Sequence, residues 1–60
     1  MEYKLANRFG SLIVISSTEW PGKFMMSTRS SDGSMHVMFI KDAEKEIRML
    51  KGEGYVEVDG

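Results

Sequence analysis

The stretch KFMMSTRSSDGSMHVMFIK, Lys23 to Lys41, decides the fold. Two runs of alternating pattern, Lys23 to Ser30 and Met35 to Lys41, flank Ser31-Asp32-Gly33-Ser34. An Asp-Gly pair between such runs is a strong short-range signal for a β-hairpin. If Asp32 and Gly33 form a two-residue loop, Thr28 faces Val37, Met26 faces Phe39 and Phe24 faces Lys41. Phe24, Met26, Met35, Val37 and Phe39 then share one face, the expected core face. Met25, Ser27, Arg29, His36, Met38 and Ile40 share the other. A three-residue loop would shift the register by one and exchange the faces of one strand against the other.

Upstream, Trp20-Pro21-Gly22-Lys23 matches a type II turn, with proline presetting φ at the second position and glycine accepting positive φ at the third. Ser11 to Ser17 carries Leu12-Ile13-Val14-Ile15, mostly β-branched, which fits a central strand covered on both faces. Phe9-Gly10 reads as a tight turn, and Glu2 to Arg8 as a first strand with Tyr3 and Leu5 on one side and Glu2 and Lys4 on the other. Downstream, Asp42 is suited to cap a helix, and Glu44 and Glu46 favour its N-terminal end. Ala43, Ile47 and Leu50 fall at i, i+4 and i+7, a single narrow apolar stripe, with Glu44 and Arg48 spaced as a surface ion pair. Gly52 is the expected stop, and Tyr55 to Val58 alternates again as a last strand.

The expectation is therefore one α+β domain over residues 1–60. It is a small antiparallel β-sheet in the order β-β-β-β-α-β, with one short helix packed on one face. A meander of four strands leaves the first at an edge, and the helix crossover brings the fifth beside it, giving the spatial order 5-1-2-3-4.

Sixty residues bury only about 60% of the surface of the unfolded chain, so the core is small. With no cysteine, disulfides cannot reinforce it, and the natural supports are a homo-oligomer or a partner protein, beside the alternative of an efficient monomer. Met1-Glu2-Tyr3-Lys4 lacks the basic-then-apolar order of a signal peptide, and the apolar run Leu12 to Ile15 is far too short to span a bilayer. A cytoplasmic protein is expected, with no membrane partner. The start at Met1 and the terminal strand suggest a complete short reading frame, of the size found in phages and mobile elements. The formal net charge of −1 gives no long-range attraction for polyanions.

The residue types that carry chemistry do not assemble. His36 is the single histidine and, in the two-residue register, faces Arg29, which disfavours its protonated form. The serines sit near turns and strand ends, where hydroxyls satisfy backbone groups, and no nucleophile elbow surrounds any of them. Gly22-Lys23 lacks the flanking residues of a phosphate loop, and Gly52-Glu53-Gly54 follows a helix instead of preceding one. The acids Glu44, Glu46, Glu53, Glu57 and Asp59 read as a solvated face. No catalytic residues, cofactor or metal are expected, and the chain is read as not an enzyme.

Six methionines are a heavy load for this length. Methionine repacks easily and recurs on binding surfaces, so Met25, Met38 and Ile40 on the second sheet face mark an interface, unless the chain itself covers them. Trp20 is either a lid folded back on the core or an interface anchor. Together with Arg29 and His36 these residues form the expected protein-binding surface of a non-enzymatic module, an inhibitor or accessory subunit that self-associates or docks on a larger protein.

The run Trp20 to Phe24, with Asp32-Gly33, Phe39 and Asp42-Ala43-Glu44, resembles the plant AP2-type and integrase-arm DNA-binding domains. That resemblance implies a three-stranded sheet in the major groove with a helix behind it. Those domains carry several Arg and Trp on the groove-facing strands, whereas here Lys23 and Arg29 would neutralise few phosphates. Nucleic-acid binding through Lys23 and Arg29 is accordingly the second reading.

Overall fold

In the computed structural model, which describes residues 2–58, the chain forms β1 (Glu2–Ala6), β2 (Leu12–Ser17), β3 (Phe24–Arg29), β4 (Met35–Ile40), α1 (Ala43–Gly52) and β5 (Val56–Glu57). Met1 and Asp59, the latter counted above among the acids, lie outside the described residues. The strands make one antiparallel sheet in the order β4-β3-β2-β1-β5, the α+β arrangement and the strand order expected from the sequence.

The register of β1 on β2 pairs Leu5 with Ile13 and Tyr3 with Ile15, and that of β2 on β3 pairs Ile15 with Met26. These side chains therefore line one face of the sheet. Leu5 and Ile15 are wholly buried there, and Ile13 and Met26 join them. The stripe Ala43, Ile47 and Leu50 of α1 closes over this group, with Tyr3, Phe24, Ile40 and Tyr55 packed around it.

Both ends of α1 are fixed by hydrogen bonds. Asp42 has extended backbone, and its carboxylate accepts from the Lys45 amide at 3.1 Å, a cap of the orphan donors of the first turn. At the other end the stop lies two residues beyond the expected Gly52. The Gly54 amide donates to Lys51 O and the Tyr55 amide to Leu50 O, a Schellman pattern whose turning residue, Gly54, has φ 101°. Only glycine adopts that angle without strain, so the chain runs one more half-turn before it reverses. The expected Glu44–Arg48 pair is not formed; the ion pairs among the described residues are Lys4–Glu2 at 4.0 Å and Lys51–Glu57 at 3.3 Å.

The β3–β4 hairpin departs from the expected register. Thr28 faces His36, Met26 faces Met38, Phe24 faces Ile40 and Arg29 faces Met35. The loop has three residues. The Gly33 amide donates to Ser30 O, closing a turn, and the Ser30 amide donates to Ser34 O below it. Gly33 takes φ 91°, while Asp32 keeps a negative φ, since no residue other than glycine has a positive one among the described residues. A two-residue loop would have forced Asp32 into the left-handed region as well. Instead its carboxylate accepts from the Ser34 amide (2.9 Å) and hydroxyl (2.7 Å), bonds that favour the longer loop.

Candidate protein-interaction surface

With one face of the sheet under α1, the opposite face is built by the alternate residues. The register sets three rows across it: Val56-Ala6-Leu12-Arg29-Met35, then Lys4-Val14-Ser27-Val37, then Glu2-Ser16-Met25-Phe39. No element of the described chain lies over these rows. Met35 (57% exposed), Val37 (59%), Phe39 (54%) and Val56 (60%) present apolar side chains to solvent, with Leu12 and Val14 half-buried between them. The central strand β2 is therefore covered on one face only, which corrects the expectation of cover on both.

The shifted register redistributes the expected interface residues. Met25 and Arg29 lie on the open face, as expected. Met38, Ile40 and His36 lie on the helix face, where Ile40 packs against the core and Met38 and His36 remain exposed. His36 faces Thr28 and not Arg29. Met35, Val37 and Phe39, expected in the core, take the exposed positions. Sequence reasoning missed them because a one-residue slip moves every side chain of β4 to the other face. The signal that could have found them is Ser34 two residues after Asp32, the spacing of the bonds that hold the longer loop.

Trp20 does not fold back as a lid; it is 60% exposed in the turn between β2 and β3. That turn is the expected type II turn, with the Lys23 amide donating to Trp20 O at 3.2 Å and Gly22 at φ 72°. Thr18 braces it from below: its hydroxyl donates to Lys23 O at 2.7 Å and accepts from the Trp20 amide at 3.2 Å. Lys23 reaches over two rings, its Nζ 4.5 Å from the centre of Phe39 and 5.4 Å from that of Trp20. Cation–π contacts of this kind hold the ammonium at the margin of an aromatic surface. Trp20, Lys23, Phe39, Ile40 and Lys41 line a cleft of about 390 Å³ at this corner of the sheet.

Among the described residues the open face bears Lys4, Lys23 and Arg29 against the acid Glu2, so it is cationic on a chain whose net charge is −1. Asp42, Glu44, Glu46, Glu53 and Glu57 belong to the helix, its caps and the last strand. The Asp32 carboxylate is held below its ordinary 3.8 by the Ser34 amide and then the Ser34 hydroxyl. Among the described residues no three His, Asp or Glu side chains gather as a metal would require. No helix among them is long and apolar enough to cross a membrane.

What these elements define is a class of architecture, a five-stranded antiparallel sheet with a single helix on one face. No protein-family model, curated protein or solved structure matches the chain.

Proposed function

We propose that this chain is a non-enzymatic protein-binding module that docks through the open face of its sheet. The observation that supports it is the exposed line Met35, Val37 and Phe39 along β4, with Met25 beside it on β3, half-buried Leu12 and Val14 beyond Arg29 and Ser27, and exposed Val56 at the far edge. An uncovered sheet face that exposes several large apolar side chains marks an interaction site. The charged margin describes the partner. Lys4, Lys23 and Arg29 suit a protein surface that is apolar at its centre and acidic at its rim. Packing this face on a second copy of itself would bring two sets of cations together, which disfavours that occupant.

The nucleic-acid reading has one specific observation in its favour: the register brings Lys23, Arg29, Trp20 and Phe39 to one side, cations beside rings on which bases could stack. Three cations neutralise few phosphates, so protein docking is preferred.

The test captures partners from native host lysate with the wild-type chain, with Val14→Lys and Phe39→Glu on the open face, and with Glu46→Lys on the helix as control. A partner held by wild type and control, and released by both face variants, is the expected result. Equal capture by all four chains overturns the proposal. Affinity for mixed oligonucleotides falling by about 40-fold between 50 and 200 mM salt, the slope that three neutralised phosphates give, would favour the nucleic-acid reading instead.

A further inference from the structure

Strand β4 is an edge strand without the devices that keep edges single. Natural edges are short, or carry lysine, proline or a bulge that blocks pairing. The other edge, β5, has two residues and an ion-paired Glu57. By contrast β4 runs six residues, Met-His-Val-Met-Phe-Ile, with neither charge nor proline, and pairs with β3 without interruption. It is apolar on both faces, with Met35, Val37 and Phe39 on the open side and Met38 and Ile40 on the helix side. An edge of this length with no charge, proline or bulge is a ready template for pairing with another strand.

The direction of its free backbone groups follows from the hairpin. The Ser30 amide bonds Ser34 O, so residue 34 points its backbone toward β3. Alternation then turns the groups of His36, Met38 and Ile40 inward and those of Met35, Val37 and Phe39 out to the free edge.

We infer that this edge pairs with β4 of a second copy, antiparallel about a two-fold axis through Val37, making one continuous ten-stranded sheet. A two-fold axis normal to the sheet keeps both helices on one side and both open faces on the other. It allows only registers in which a residue meets its own counterpart. Centred on Val37, Met35 of each copy meets Phe39 of the other, and the outward groups exchange about six hydrogen bonds. The same register brings Lys41 of each copy to the Asp32-Gly33 turn of the other, a cation against an ionised carboxylate at both ends. Centring on Met38 would set Lys41 against Met35 and lose this complement. Area favours the same assembly. Four strands and a short fifth, about 4.8 Å apart and rising about 3.3 Å per residue, give the open face a projected area of about 400 Å². One partner's share of an ordinary stable interface is about 800 Å², which two copies side by side provide. The area argument rests on the docking proposal; the edge and charge arguments do not.

Sedimentation across micromolar to millimolar concentrations, with amide hydrogen exchange, tests the pairing. The expected species is a closed dimer whose Val37 and Phe39 amides gain protection as concentration rises. Val37→Pro removes only an outward donor and should give a folded monomer. Lys41→Asp should weaken the dimer at least tenfold, and Lys41→Arg, which keeps the cation, should leave it unchanged. Should Val37→Pro lose the fold, the exchange profile of the wild type decides alone. A wild-type monomer at all concentrations, unprotected Val37 and Phe39 amides, or a species growing beyond two copies overturns the inference. Val14→Lys, which should abolish docking through the face, should leave the dimer intact, so the two proposals fail separately.

Discussion

Phe39→Ala, set against Ile15→Ala, measures whether the open face is what the register makes it. Ile15 is wholly buried under α1, so its truncation removes a full side chain's transfer energy and leaves a cavity, about 2–5 kcal/mol in all. Phe39 is 54% exposed. With an aromatic side chain of about 200 Å², just under half is covered, about 90 Å². At about 25 cal/mol per Å² the upper bound is about 2 kcal/mol, and the alanine Cβ retains part of it, leaving about 1 kcal/mol. Loss of the Lys23 contact at 4.5 Å adds about 0.5 kcal/mol. The expected cost of Phe39→Ala is therefore about 1.5 kcal/mol. In the alternative register, with Phe39 in the core, the cost would be about 3–5 kcal/mol. Urea unfolding followed by circular dichroism, at concentrations low enough to keep the chain monomeric, reads both variants. A Phe39→Ala cost equal to that of Ile15→Ala would refute the placement of β4.

Other features give sharper local expectations. Gly54→Ala forces a β-carbon into φ 101° with nothing within 4 Å of it, so its cost of about 1–2 kcal/mol is purely conformational, read from the same unfolding curves. Asp42→Ala removes the bond to the Lys45 amide and should cost about 1 kcal/mol, with fraying of the first turn visible in amide exchange. The Asp32 carboxylate has a folded pKa below 3.8 because the Ser34 amide and hydroxyl bond its charged form. Its contribution to the hairpin is complete above the unfolded value and is lost as pH falls through the folded one. The Ser34 amide shift should titrate in that acid range, and Asp32→Asn should abolish the titration. Trp20, at 60% exposure, should show emission at long wavelength and ready quenching by iodide, both little changed by unfolding; a large shift would place it inside.

Much of the fold was legible because separate signals agreed. The apolar run of β2, the Pro21-Gly22 turn, the alternation around Asp32-Gly33 and the stripe of Ala43, Ile47 and Leu50 each define an element. Together they leave the chain only one economical strand order. The faces of β4 were not legible in the same way. Met35 to Ile40 is apolar at nearly every position, so its hydrophobic pattern cannot say which side is inside, and the loop length alone decides. The difference lies in the φ of one residue, Asp32, and in a side-chain bond to Ser34. The helix stop was misplaced for a related reason: Gly52 and Gly54 both offer a turning residue, and the choice falls to whichever lets Tyr55 pack against the core. An uncovered sheet face was legible as a fact, since one narrow stripe cannot cover two faces, but the residues that occupy it were not.

The register of β4 on β3 carries the open face, the free edge and both proposals, and proton NMR tests it directly. In the structure Ser27 faces Val37 and Met25 faces Phe39, and the alternation makes these the closely spaced, non-bonded pairs, with Cα atoms about 4.5 Å apart. Strong cross-strand Hα–Hα contacts between Ser27 and Val37 and between Met25 and Phe39 are the expected result. Contacts linking Thr28 with Val37 and Met26 with Phe39 would mean a two-residue loop, an inward Phe39 and a different open face, and would contradict the account.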